Sequence, residues 1–218
     1  MPHPMVSAAH RLLARALWLF QQDDGEPMEA ISLFEKALAL DPGLTEAYLG
    51  LGDALQVAGR VDEAIKAYSA GISADRGYAS LYYKRSQARR GATDQTGTID
   101  NHGDAVEDLT KAMDLEPGLR CFYLTERGSL WHRMARTLSR QGESFATHMA
   151  TAIDDYTAAT KDAGTATVEP LLGRASVYLD WAALSAGDAR ESKYQQAFQD
   201  CTQALHVAPD SRDALLLR

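Results

Sequence analysis

Two stretches of the chain carry basic and hydrogen-bonding side chains at helical spacing. In the first stretch, three such residues lie at i, i+4 and i+7, so a helix would present them on one face with a lysine beside them. Donors of this kind, with an aromatic ring among them, can hold the carboxylates of a peptide by charge-assisted hydrogen bonds. The candidate binding residues are Tyr83, Lys84, Gln87 and Arg90 in the first stretch and His132, Arg133 and Arg136 in the second.

The charge of the surrounding segments is segregated. Residues 79–91 contain four basic residues and no acid, and residues 120–142 contain five arginines and one glutamate. The segment that follows each of them is acidic, with five acids against one lysine in 104–116 and four against one in 143–162. The alternative interpretation of the two stretches is therefore a solvated basic face that pairs with the neighbouring acidic segments.

The sequence contains no arrangement of residues that is typical of catalysis or metal binding. There is no GxxxxGK[ST] loop for phosphate, and the six histidines show no HExxH or similar ligand spacing. The two cysteines, Cys121 and Cys201, are 80 positions apart and form no CxxC pair. We therefore expect no catalytic residue, no metal and no cofactor, and we expect a reducing, cytoplasmic compartment.

The overall composition is that of a soluble globular protein. Of the 218 residues, 45% are apolar and 24% are charged, and the net charge is −8. This charge would repel nucleic acid and anionic lipid, and no apolar run approaches the roughly 18 residues needed to span a bilayer. Arg15 interrupts the apolar stretch 11–20, which favours an ordinary first helix over an export signal. The expected partner is a protein or peptide, and neither nucleic acid nor a membrane.

The strongest pattern in the chain is an internal repeat. Ala30 and Ala64 occupy equivalent sites 34 positions apart, and a large residue follows four positions after each, a pattern that returns at Ala105, Ala152 and Ala197. The small residue lets two helices approach closely, while the large one fills the space between neighbouring hairpins. Residues 45–78 resemble a tetratricopeptide repeat at Tyr48, Leu51, Gly52, Leu55, Ala64 and Tyr68.

This resemblance implies an all-α fold: a right-handed superhelical solenoid of about five tetratricopeptide-like helical hairpins in a single domain, 1–218. In that family the first helices line a concave groove, so the resemblance implies a locally basic groove on a non-enzymatic protein-interaction scaffold. The alternatives are a regulatory repeat domain of a longer enzyme and a helical-repeat RNA-binding module, and acids within the groove disfavour the second. The repeats are expected at about 11–44, 45–78, 79–120, 121–167 and 168–211.

The later repeats depart from the 34-residue period. The surplus in the third repeat, residues 91–103, is rich in turn formers and is expected to be a polar surface loop. Residues 129–141 and 143–162 contain no helix breaker, so we expect both helices of the fourth hairpin to run about two turns longer. Cys201 is expected to be an inert core thiol. Three arginines recur at one repeat site and are interpreted as structural: Arg85, Arg127 and Arg174.

Residues 212–218 begin a sixth repeat. The segment either serves as a short cap or belongs to a longer chain whose repeats continue. In both cases Leu215, Leu216 and Leu217 would lack a partner hairpin. We therefore expect weak self-association through this apolar surface.

Overall fold

The computed structural model describes residues 7–22, 27–96, 100–162 and 167–218. Within these ranges all regular structure is helical and no strand occurs, which confirms the predicted all-α fold. The chain divides into two compact units, Met1–Leu115 and Glu116–Arg218. Each unit is a stack of helical hairpins.

Unit 1 contains three hairpins, in which each first helix packs against the second helix that follows it. The first helices α1, α3 and α5 also lie side by side, so the unit presents a face that is built from first helices alone. The bounds are α1 Ala8–Phe20, α2 Pro27–Leu40, α3 Thr45–Val57, α4 Val61–Ala74, α5 Ala79–Thr96 and α6 Asp100–Leu115.

Unit 2 begins with a short 3₁₀ turn, Pro117–Leu119, followed by two hairpins and a final one-and-a-half-turn helix. Its first helix α9 lies between α7 and α11, so this unit also presents a first-helix face. The bounds are α7 Arg120–Gln141, α8 Ala146–Asp162, α9 Val168–Ala183, α10 Gly187–Val207 and α11 Arg212–Leu217.

The repeating small and large residues form the core of both units, as the sequence predicts. Tyr68 is fully buried and Tyr156 is 4% exposed. A Cβ atom at Gly52 would overlap Cε1 of Tyr68, and one at Gly173 would overlap Cε1 of Tyr156. Glycine at these sites therefore lets the first helix sit directly on the ring of a second helix.

The predicted loop at residues 91–103 is wrong. Helix α5 continues to Thr96 and α6 begins at Asp100, while residues 97–99 lie outside the described residues. The reason is tertiary packing: Ala92 is 9% exposed and His102 is 3% exposed, so both helices bury side chains beyond the length of an ordinary repeat. This burial outweighs the low helix propensity of Gly91 and Gly103.

The predicted lengthening of the fourth hairpin is confirmed for its first helix. Its second helix is extended by less than the predicted two turns. Helix α7 has 22 residues, compared with 13 in α3, and is followed directly by Gly142 with a φ of 75°. Helix α8 begins at Ala146 and has 17 residues, compared with 14 in α4, which is an extension of about one turn. Glycine is favoured at the end of α7 because this left-handed conformation is strained for other residues.

Replacing Gly91 by alanine should stabilise the protein. Gly91 is inside α5, and a Cβ atom there would meet no other atom within 4 Å. Since alanine restricts the unfolded chain more than glycine does, we expect a gain of about 0.5–1 kcal/mol in urea unfolding. The matched control is Gly52→Ala, which should destabilise the same unit because its Cβ would overlap Tyr68. Destabilisation by Gly91→Ala would contradict the helical assignment of this segment.

Candidate functional site

The first group of candidate residues lies on the first-helix face of unit 1, here called face 1. Tyr83, Lys84, Gln87 and Arg90 of α5 are all partly exposed, as their spacing predicts. The side-chain amide of Gln87 donates from Nε2 to the hydroxyl oxygen of Tyr83 at 2.7 Å. This hydrogen bond links the tyrosine side chain to the next turn of the same helix face.

Lys84 is paired with a carboxylate from the neighbouring first helix. Its Nζ lies 3.1 Å from Oδ1 of Asp53 on α3, with the two side chains 34% and 24% exposed. The same Oδ1 accepts a hydrogen bond of 2.7 Å from the hydroxyl of Tyr68, whose oxygen accepts one of 2.6 Å from Nε2 of Gln56. Face 1 therefore contains a carboxylate of its own at the position of its lysine.

The Tyr68 hydroxyl is a permanent donor in this cluster. Burial, and then the hydrogen bond to Asp53, raise the pKa of Tyr68 well above its ordinary value of 10. The phenol therefore stays protonated under all ordinary conditions.

The second group of candidate residues lies on helix α7 of unit 2. The surface formed by His132, Arg133 and Arg136 is here called face 2. His132 is 12% exposed and its Nε2 lies 2.9 Å from Oδ2 of Asp180 on α9. Nε of Arg136 lies 3.4 Å from the same oxygen, while Arg133 is exposed. Asp180 thus holds two of the three predicted binding residues.

His132 contributes hydrogen bonding more than charge. Burial lowers the pKa of His132 below its ordinary 6.5, and this effect exceeds the opposite influence of the Asp180 carboxylate. At neutral pH the imidazole is therefore uncharged. The positive charge of face 2 rests on its two arginines.

The recurring arginines are structural, as interpreted from the sequence. Each guanidinium forms two hydrogen bonds with an aspartate on the second helix of its own hairpin, with the shorter bond at 2.6 Å in all three. Each aspartate lies three positions after the repeat alanine, and each is less than 9% exposed at its side chain. The pairs are Arg85 with Asp108, Arg127 with Asp155 and Arg174 with Asp200.

Much of the segregated charge is therefore used inside the hairpins. Arg89 also binds Asp108, at 2.6 Å, and approaches Asp104 at 3.2 Å. This agrees with the alternative interpretation of a basic first helix paired with the acidic helix that follows it. In the second hairpin, two apolar residues take the places of the recurring arginine and its aspartate: Leu51 and Ala67.

The C-terminal end of unit 2 exposes two of the three leucines that were predicted to lack a partner, whereas Leu217 is half-buried against the core cluster of Ala175, Ala197 and Cys201. Leu215 and Leu216 are 57% and 74% exposed. Beside them is an open groove of about 410 Å³ between α9, α10 and α11, whose apolar lining includes Leu179, Phe198 and Leu217. This surface could cover an apolar segment of another molecule.

Cys201 lies in the core of unit 2. Cys201 is fully buried and burial raises the pKa of its thiol, which confirms a core residue of low reactivity. Among the described residues, no group of three or more histidine, cysteine, aspartate or glutamate side chains could hold a metal ion. No helix in the described part of the chain is long and apolar enough to cross a membrane.

Comparison with known proteins identifies the repeats in one segment of the chain. Residues 21–88 match the tetratricopeptide repeat family. The hairpins beyond this range repeat the same packing of a small residue against a large one. Residues 21–88 therefore consist of tetratricopeptide repeats, as the sequence resemblance predicts. No curated protein sequence matches it.

Solved structures share the fold at low sequence identity. The MamA protein is 17% identical with a TM-score of 0.66, over 92% of this chain and 93% of that one. YrrB, described as a TPR protein with an unusual peptide-binding site, is 18% identical with a TM-score of 0.59, over 95% and 90%. TTC0263, a thermophilic TPR protein of Thermus thermophilus, is 21% identical with a TM-score of 0.56, over 96% of both chains.

Proposed function

We propose that the protein is a non-enzymatic protein-interaction scaffold and that face 1 binds an extended segment of a partner protein. The observation that carries this proposal is the row of partly exposed donors Tyr83, Lys84, Gln87 and Arg90 on one face of α5. The presence of a peptide-binding site in YrrB, which has a similar fold, supports it. A cytoplasmic location stays a prediction from composition.

The chemistry of face 1 favours a segment that carries carboxylates. Arg90 can hold a carboxylate with a bidentate hydrogen bond, and the Tyr83 ring offers an apolar contact next to it. The partner's backbone can meet the partly exposed side-chain amide of Gln87. The proposed partner is therefore an acidic or C-terminal peptide.

Face 2 is proposed as a second contact surface. Arg133 and Arg136 are exposed there, and His132 adds a neutral hydrogen-bonding group. The proposed self-association uses the apolar groove beside Leu217. The RNA-binding alternative is less well supported because the internal carboxylates reduce the positive charge of both faces. A regulatory repeat domain of a longer enzyme would present the same faces and stays an alternative.

Charge on face 1 should control peptide binding. The probe is a dye-labelled decapeptide of alternating glutamate and alanine, measured by fluorescence anisotropy against the matching glutamine–alanine peptide. We expect Tyr83→Ala/Arg90→Glu to weaken binding of the acidic probe at least about tenfold, because it removes the aromatic contact and reverses the charge that meets the carboxylates. Raising the salt concentration should weaken binding to the native protein through screening.

The control for this experiment is Lys111→Glu, the same reversal of charge at an exposed residue of the second helix α6. It should leave binding of the probe unchanged within about twofold, since surface substitutions away from a site have small effects. Equal loss in both variants, or binding that is insensitive to Arg90, would contradict a site on face 1.

A further inference from the structure

Asp53 is a carboxylate that face 1 supplies to itself. Both of its donors, the Lys84 ammonium at 3.1 Å and the Tyr68 hydroxyl at 2.7 Å, meet the same oxygen, Oδ1. Tyr68 is fully buried and is held from its other side by Gln56, so this hydroxyl has a fixed direction. The aspartate is therefore held in place from the core as well as by the surface lysine.

The position of Asp53 restricts what a partner can place at Lys84. A partner carboxylate within hydrogen-bond distance of the ammonium would come close to the Asp53 carboxylate, because both would contact the same nitrogen. Two like charges at such a separation repel each other strongly at a partly exposed site. A neutral acceptor, such as a backbone carbonyl, meets no such penalty and can use a remaining N–H of the lysine.

We infer that Asp53 is a specificity-determining residue of face 1, which excludes a partner carboxylate from Lys84 and reserves that position for a neutral acceptor. This inference rests on the proposed function, in which a partner segment lies along α5. It assigns recognition of the partner's acidic group to Arg90. Segments with acids spaced so that one reaches each cation are thus selected against, while a segment with a single acid is accepted.

Glu46 offers a matched control for this carboxylate. It lies seven residues before Asp53 on α3, two helical turns away on the same side of the helix, and it is exposed. Its neutralisation changes the charge of face 1 by the same amount as that of Asp53. Unlike Asp53, it makes no ion pair with Lys84, whose described ion-pair partner is Asp53.

The experiment compares Asp53→Asn with Glu46→Gln, again with the alternating glutamate–alanine decapeptide as the probe. We expect Asp53→Asn to bind it at least about tenfold more tightly than the native protein and Glu46→Gln to gain no more than about threefold. Asparagine retains an acceptor for the Tyr68 hydroxyl, and circular dichroism checks that the variant is folded. Adding Lys84→Met to Asp53→Asn should remove the gain in probe affinity, because that gain comes from the Lys84 ammonium once its aspartate is gone.

Each outcome has a distinct meaning. Equal gains in the two variants would overturn the inference, since net charge alone would then explain them. Probe binding that depends on Arg90 but is unchanged by Asp53→Asn would overturn the inference and leave the proposed function standing. No binding to the native protein or to any variant would overturn the proposed function, and the inference with it.

Discussion

Replacing Asp200 by alanine is expected to lower the free energy of unfolding by about 3–5 kcal/mol. The carboxylate accepts hydrogen bonds of 2.9 and 2.6 Å from Nε and a terminal nitrogen of Arg174, and the two side chains are 7% and 16% exposed. Without Asp200 the Arg174 guanidinium would be left buried without its carboxylate, and it could not lose its proton because arginine stays charged in proteins. Urea unfolding followed by circular dichroism measures the loss.

The natural apolar pair of the second hairpin suggests how to rescue this variant. The double variant Arg174→Leu/Asp200→Ala has leucine and alanine at these two sites, as the second hairpin has with Leu51 and Ala67. We expect the double variant to recover most of the lost stability, because replacing a whole buried ion pair costs much less than removing one partner. A double variant that is less stable than Asp200→Ala, or a single variant that loses under about 1 kcal/mol, would contradict this account.

A surface ion pair provides the comparison. Arg60 donates two hydrogen bonds to Glu63, at 2.7 and 2.5 Å, with geometry as good as that of the buried pairs. The two side chains are 35% and 50% exposed, and Glu63→Ala should therefore change stability far less than Asp200→Ala. The difference between the two variants isolates the effect of burial from that of geometry.

Replacing Tyr68 by alanine should have an effect of similar size, about 3–5 kcal/mol, for an unrelated reason. The ring is fully buried against Gly52, whose lack of a side chain leaves no atoms that could move in to fill the space. Thermal and urea unfolding measure the loss. Tyr68→Phe keeps the ring and removes only the hydrogen bonds to Asp53 and Gln56, so it should cost about 1 kcal/mol.

The control for Tyr68→Ala is Tyr194→Ala. Tyr194 is 38% exposed and lies on the open groove of unit 2. Its removal creates no enclosed cavity, so the loss should be well below that of Tyr68→Ala. Similar losses in the two variants would show that the repeat pattern of small and large residues does not define the core.

The helical hairpins could be predicted from the sequence because their packing repeats. An alanine followed four positions later by a large residue is a local pattern, and it identifies both Tyr68 and Tyr156 as core residues. The segment 91–103 has no such pattern. Its helices are stabilised by burial of Ala92 and His102, which depends on tertiary contacts that composition does not show.

The candidate site was only partly predictable for the same reason. Spacing within α5 is enough to place Tyr83, Gln87 and Arg90 on one side of the helix. The pairing of Lys84 with Asp53 joins two helices, and it depends on how closely the hairpins stack. A signal was present, since Asp53 lies 34 positions before Gln87 and thus at the equivalent repeat site.

The buried arginines also restrict the order in which hairpins can be joined. Besides its own aspartate, Arg85 donates to the Ser69 hydroxyl at 3.0 Å, and Arg174 donates to that of Thr157 at 2.8 Å, in each case on the preceding hairpin. Both hydroxyls lie five positions after a repeat alanine, where the first hairpin has Glu35. Gene duplication or shuffling could place a hairpin with such an arginine after a hairpin that lacks the hydroxyl. A buried N–H of the arginine would then have no acceptor. The hairpins are thus similar in shape but are not interchangeable modules.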